Sequence, residues 1–146
     1  MNIQQQLRML PAPLDGLGVY ATYTRTTSSA RYHMRPGVGT LPGQTPNLGN
    51  VALSYERRGF SGRLAVNFHG EYLNLLGLTE AADQHLAGRT QMDLSIAQHI
   101  ARHTWVVFDA HNLTDAPNTT FGASLSRPTL IERFGRYETF GVRLVF

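Results

Sequence analysis

Phe60-Ser-Gly-Arg-Leu-Ala-Val-Asn-Phe-His-Gly-Glu-Tyr72 reverses polarity at nearly every step. Phe60, Gly62, Leu64, Val66, Phe68, Gly70 and Tyr72 occupy one parity. Ser61, Arg63, Ala65, Asn67, His69 and Glu71 occupy the other. Period 2 marks a strand with one apolar and one polar face. At about 3.3 Å per residue and a tilt of roughly 45°, a run from Phe60 to Tyr72 spans about 30 Å, the thickness of a bilayer's hydrocarbon core. Strands of small soluble sandwiches are about half as long. The chain ends in the same pattern, with Phe140, Val142, Leu144 and Phe146 on one parity. A terminal Phe on the apolar side of a long strand points to an outer-membrane barrel.

Working outward, the same alternation recurs. Leu17 to Arg25 carries Leu17, Val19, Ala21 and Tyr23 on one side, and Asn47 to Glu56 carries Val51, Leu53 and Tyr55. Gly88 to His99 shows Met92, Leu94 and Ile96, and Thr104 to Asn112 shows Val106, Phe108 and Ala110. Arg133 to Phe146 closes the set, and Ile3 to Leu10 reads as a partial strand. The connections alternate in length. Pro11 to Gly16, Arg57 to Gly59 and Ile100 to His103 are short; Thr26 to Gln44, Leu73 to Ala87 and Leu113 to Glu132 are long and polar. Short periplasmic turns and long extracellular loops are the habit of outer-membrane barrels. The expected fold is all-β: an antiparallel transmembrane β-barrel segment of about six to seven long meander strands. Six or seven is below the minimum of eight for a bacterial barrel, and open edges are not tolerated in lipid. Residues 1–146 are therefore expected to be part of a larger barrel domain.

Composition agrees. With 146 residues the chain makes one domain at most. No stretch approaches the 18 apolar residues of a helical span. There is no cysteine, hence no disulfide framework or thiolate chemistry. All 13 basic residues are arginine, the net charge is +3, and the arginines are dispersed, which argues against nucleic-acid binding. Met1 to Leu10 lacks the basic start and apolar core of a secretion signal, so a barrel-like chain of this kind is expected to belong to a longer protein.

Candidate sites are few. Arg63, Asn67, His69 and Glu71 share one parity, and Asp93, Asp109 and His111 take the polar parity of neighbouring strands. They are read as facing a polar barrel lumen. His99 and His103 have helical ligand spacing but fall at a strand end and in a turn, so they are read as polar turn residues rather than a metal pair. Tyr55 and Tyr72 fit an aromatic girdle; Trp105 falls on the polar parity, which asks for a bulge in its strand or removes it from the girdle. Asn112-Leu-Thr114 and Asn118-Thr-Thr120 match the glycosylation sequon. Arg57 and Arg58 read as solvated turn residues. No catalytic constellation or cofactor motif has convincing context.

Several pieces together resemble the C-terminal barrel region of TonB-dependent outer-membrane receptors. They are Leu10-Pro-Ala-Pro-Leu-Asp-Gly-Leu-Gly18, Leu41-Pro-Gly-Gln-Thr-Pro-Asn-Leu-Gly-Asn50 with Ala52-Leu-Ser-Tyr-Glu56, and Tyr55-Glu-Arg-Arg-Gly-Phe-Ser-Gly-Arg63. Asn112-Leu-Thr-Asp115 and the closing Gly135-Arg-Tyr137 and Gly141-Val-Arg-Leu-Val-Phe146 complete the order. The resemblance implies a 22-stranded barrel around a plug, taking up a scarce nutrient such as a siderophore, vitamin or oligosaccharide. It implies outer-membrane lipid, the rest of the barrel, the plug and the barrel assembly machinery as partners, with TonB reached only through the plug. It makes Phe140, Val142, Leu144 and Phe146 a C-terminal assembly signal. It implies no enzyme activity and no cofactor, and a fragment that does not transport alone. The rival readings are a soluble lectin-like all-β module and a small pore assembled from several copies.

Overall fold

The computed structural model describes residues 1–145, so Phe146 lies outside the described residues. Thirteen strands follow in order. They are β1 (Asn2–Gln6), β2 (Leu17–Arg25), β3 (Ala30–Arg31), β4 (Val38–Gly39), β5 (Asn47–Arg57), β6 (Phe60–His69) and β7 (Tyr72–Leu75). The rest are β8 (Gln84–Leu86), β9 (Arg89–Ala101), β10 (Thr104–His111), β11 (Asn118–Phe121), β12 (Pro128–Glu132) and β13 (Tyr137–Leu144). The chain is all-β and antiparallel.

Seven strands form one meander in the order β1-β2-β5-β6-β9-β10-β13. Among the described residues it is open: β1 pairs only with β2, and β13 only with β10. At one end, the β5–β6 and β9–β10 links are two residues each. Arg58 and Gly59 alone link β5 to β6, with φ of +49° and +81°, the backbone of a two-residue hairpin whose twist matches the strands. The β1–β2 turn is tied to β5 by Tyr55 Oη donating to the Pro13 carbonyl (2.9 Å) and by Arg57 against Asp15 (3.2 Å). Gly16 is required there, because a Cβ would lie 2.3 Å from the Glu56 carbonyl oxygen.

At the other end the long connections are structured, which their polar composition does not announce. The chains leaving β6 and β10 supply β7, β8, β11 and β12, which pair as a second sheet in the order β12-β11-β8-β7. The first long connection folds back as the β3–β4 hairpin.

The expected strand from Phe60 to Tyr72 ends early, at His69. The reason is its neighbours. Gly70 N–H donates to the carbonyl of Asn47, the first residue of β5, and His69 faces Arg89, the first residue of β9. Beyond that rung neither side offers a partner, so Tyr72 moves into the second sheet. The longest strand is instead β9, with 13 residues.

Register divides the main sheet by polarity. One face carries rows such as Val19–Leu53–Leu64–Leu94–Ala110 and Ile96–Phe108–Phe140. Most of it stays uncovered: Val51 is 53% exposed, Leu53 48%, Phe140 74% and Val142 61%, and only Ala110 at the loop end is enclosed among the described residues. The buried apolar residues are few and mostly small, among them Ala52, Ala65, Leu73, Ala110 and Phe121. A sheet whose greasy face stays bare has no core of its own.

Candidate functional site

The other face of the meander is polar and hollow. Its rows, read across the strands, begin at the loop end with Asn50–Asn67–Gln91. Ala52–Ala65–Asp93 follows, then Ser54–Arg63–Ser95–Asp109–Thr139. Ser61–Ala97–Val107–Gly141 and His99–Trp105–Arg143 complete it at the turn end. Arg63, Asn67, His69, Asp93, Asp109 and His111 thus share one face, as their parity implies. Glu71 does not join them: it lies past the end of β6, 3.5 Å from His85 of β8. Tyr72 has likewise left the apolar face, and its ring meets His69 edge-on at 6.4 Å.

Asp93 is the hub of the loop-end half. One carboxylate oxygen accepts from Gln91 Nε2 (3.0 Å) and from the backbone N–H of Asn112 (2.9 Å); the other accepts from Asn67 Nδ2 (3.2 Å). Asn67 in turn accepts from Asn50 Nδ2. Gln91 accepts from Arg89 (3.2 Å), which also donates to Asn118 of β11 (2.7 Å). His111 Nδ1 stands 3.8 Å from Asp93, its ring stacked on Tyr137 at 4.7 Å. The small Ala52 and Ala65 leave room for these side chains to meet. A network of this kind fixes side-chain directions because each partner is satisfied by the next.

Asn112 gives the Asn112-Leu-Thr-Asp115 motif its physical meaning. Its φ is +55°, a conformation that asparagine tolerates. Its Nδ2 donates to the Gly135 carbonyl (2.8 Å), and its Oδ1 accepts from Ala116 N–H (3.0 Å). Thr114 donates to the Thr90 carbonyl (3.0 Å). The motif turns the chain out of β10 and pins the following loop. Asn112 is only 8% exposed with its amide engaged, which accounts for the sequon match without a sugar.

At the turn end, Trp105 stays on the polar face. The β9–β10 register shifts between Thr104 and Trp105, yet the indole still meets the His99 ring, tilted, at 4.7 Å. It therefore belongs to no girdle. Tyr55 and Phe60, with ring centroids 6.0 Å apart, hold the apolar face at that level. His103 lies in the turn, its carbonyl accepting from Val145 N–H. Among the described residues, no three His, Asp or Glu side chains converge as a metal site.

Three cavities follow this face. One of about 300 Å³ lies at Asn50, Asn67, His69 and Gln91. Another of about 260 Å³ lies at Arg63, Ser95 and Asp109. The third, about 540 Å³, lies at Arg58, Trp105 and Arg143. Asn50, Arg89, Gln91 and Arg143 were not singled out in the sequence, although all sit on the parity of Asp93 or Trp105. The arrangement offers hydrogen-bond donors and acceptors along its length.

Above the sheet, Arg35 and Asp83 join two long connections. Arg35 donates to both carboxylate oxygens (3.0 and 2.7 Å), and Gly77 N–H adds a third bond to Asp83 (2.8 Å). The Arg35 hydrogen bond, reinforced by Gly77, holds the Asp83 carboxyl below its ordinary pKa against the opposing effect of burial. No sequence signal links these residues.

No protein-family model, curated protein or solved structure matches the chain.

Proposed function

We propose that this chain is a segment of a transmembrane β-barrel, the C-terminal part of an outer-membrane receptor of the TonB-dependent kind, with its apolar face on lipid and its polar face on the lumen. The observation that carries the reading is the bare apolar face of an open seven-stranded meander. In water that face would be an aggregation template. In a bilayer it is the lipid contact, provided that both edges are paired. Strands of 9, 11, 10 and 13 residues (β2, β5, β6 and β9) reach the length needed to cross. Tyr23 at the loop end and Tyr55 at the turn end stand six residues apart in register, about 20 Å along the strands, close to the height of a lipid-facing band.

Strand parity favours a larger barrel over a pore made of several copies. In a meander of seven, β1 and β13 run parallel to each other. Copies arranged about one axis would set β13 beside a neighbour's β1 in parallel, breaking the antiparallel order. Closure calls for an odd number of strands from elsewhere. A 22-stranded barrel meets that condition, since seven from twenty-two leaves an odd remainder. The lectin-like alternative calls for a second sheet over the apolar face, and the four-stranded sheet leaves Val51, Leu53 and Phe140 exposed. On this reading the assembly machinery meets Phe140, Val142 and Leu144 along β13, and the transported nutrient and the plug meet the polar face.

The test is lipid contact, residue by residue. Single cysteines at Val51, Leu53, Phe140 and Val142, and at Ser54, Ser95 and Thr139, in a complete barrel containing these strands, are labelled with a fluorophore in vesicles containing brominated lipid. Quenching of the first set alone is expected. Equal quenching of both sets, or a monodisperse monomer in plain buffer, overturns the reading.

A further inference from the structure

The turn-end cavity is the part of the molecule that the network around Asp93 leaves unused. Its floor is formed by the small Ser61 and Ala97, which face each other across β6 and β9. Arg143 stands across from Trp105 at its lower edge, Arg58 at the turn, and Arg63 one row above. Among the described residues, none of these three guanidinium groups has an ion-pair partner, whereas Arg35, Arg57 and Arg133 all do. Glu56 and Asp109 border the same surface, and neither forms an ion pair there.

Arg58 adds an independent observation. It holds φ +49° in a turn position that glycine or asparagine occupies at lower cost. A residue kept in the left-handed region against that preference directs attention to what its side chain does. Here it lines the cavity together with Arg143 and Trp105. Arginine forks match carboxylates in a bidentate manner, and an indole beside them supplies an apolar wall.

We propose that this cavity is a binding site for a carboxylate-bearing group, gripped by Arg58 and Arg143 over the small-residue floor beside Trp105. The cavity opens on the polar face, with Phe60 of the apolar parity at its rim. The carboxylates come either from a small polyacid or from acidic side chains of a peptide segment packed on this face. The site does not depend on the barrel reading, because the cavity and its arginines lie within the described strands and the β5–β6 turn.

Trp105, the sole tryptophan, reports on the site directly. The full chain in nonionic detergent is titrated with citrate and, separately, with a hexa-aspartate peptide, while Trp105 emission is followed. A saturable change with either probe is expected, and which probe binds tells the small-acid source from the peptide source. Arg143→Gln and Arg58→Gln should each weaken half-saturation about tenfold, while the remote Arg127→Gln leaves it unchanged. Ala97→Leu fills the floor from another strand and should abolish the response without altering a charge. No saturable change with either probe in the unaltered chain overturns the proposal. So does wild-type affinity in folded Arg143→Gln and Ala97→Leu.

Discussion

Arg35 grips both carboxylate oxygens of Asp83, at 3.0 and 2.7 Å, from a point 48 residues earlier in the chain. The pair is largely shielded, with side-chain exposures of 14% and 9%. It fastens the connection that holds β3 and β4 to the one that holds β7 and β8. Asp83→Ala should release both. Gly77 N–H loses its acceptor as well, so its amide exchange should rise roughly tenfold, while exchange in the centre of β5 and β6 stays unchanged. Hydrogen exchange resolved to single amides reads this directly.

The same pair sets a pH response. The folded Asp83 carboxyl titrates below its unfolded value of about 3.9. Its stabilisation is therefore whole above that value and is lost as pH falls through the lower, folded one. Corrected Gly77 exchange should be flat from neutral pH down to about pH 5 and should rise in stronger acid. In Arg35→Gln the rise should begin at a higher pH, because the main cause of the depression is gone.

The two sheet faces should respond oppositely to charge. Leu53→Arg puts a guanidinium in the middle of the apolar face and should cost about 2–4 kcal/mol of insertion free energy. Ser54→Arg, one residue on, points to the polar face and should cost little. Refolding of a complete barrel containing these strands into lipid vesicles, followed by denaturant titration, gives both values. Equal costs would contradict the assignment of faces.

Asp93→Ala removes the acceptor shared by Asn67, Gln91 and the Asn112 backbone. Bonds to a charged acceptor contribute about 1.5–3 kcal/mol, and the buried donors lose their partner. A loss of about 2–3 kcal/mol in the denaturant midpoint analysis is expected. Asp93→Asn, which keeps one acceptor oxygen, should lose about half as much.

Gly59→Ala tests the β5–β6 turn. Its φ is +81°, and a Cβ there would lie 3.0 Å from the His99 Cβ. The left-handed conformation alone should cost about 1–2 kcal/mol, read as slower refolding of the hairpin and a lowered unfolding midpoint.

The meander was legible because its cause is local. Alternation of Val51, Leu53 and Tyr55 against Ala52, Ser54 and Glu56 is imposed by the pleat itself. The bounds of β2, Leu17–Arg25, coincide with the expected run. Tight turns announced themselves through Arg58-Gly59 and Pro11 to Gly16, where particular backbone angles select residue types. The ends of strands were less legible. β6 stops at His69 although the alternation runs on to Tyr72, because a strand persists only as far as its neighbours.

The site divides in the same way. Parity alone placed Arg63, Asn67, His69, Asp93 and Asp109 on one face. It misassigned Glu71 and Tyr72, which lie beyond the break at Gly70, and it did not single out Asn50, Gln91 or Arg143, whose significance comes from cross-strand neighbours.

By itself, then, the order of residues determined an antiparallel all-β chain with one apolar and one polar face, since period 2 acts between adjacent residues. Only the tertiary structure decided that the long connections pair as β12-β11-β8-β7, that Arg35 finds Asp83, and that Arg58 and Arg143 line one hollow with Trp105. Those outcomes depend on register between segments tens of residues apart, where polar loops of similar composition have many alternative partners and geometry alone selects one.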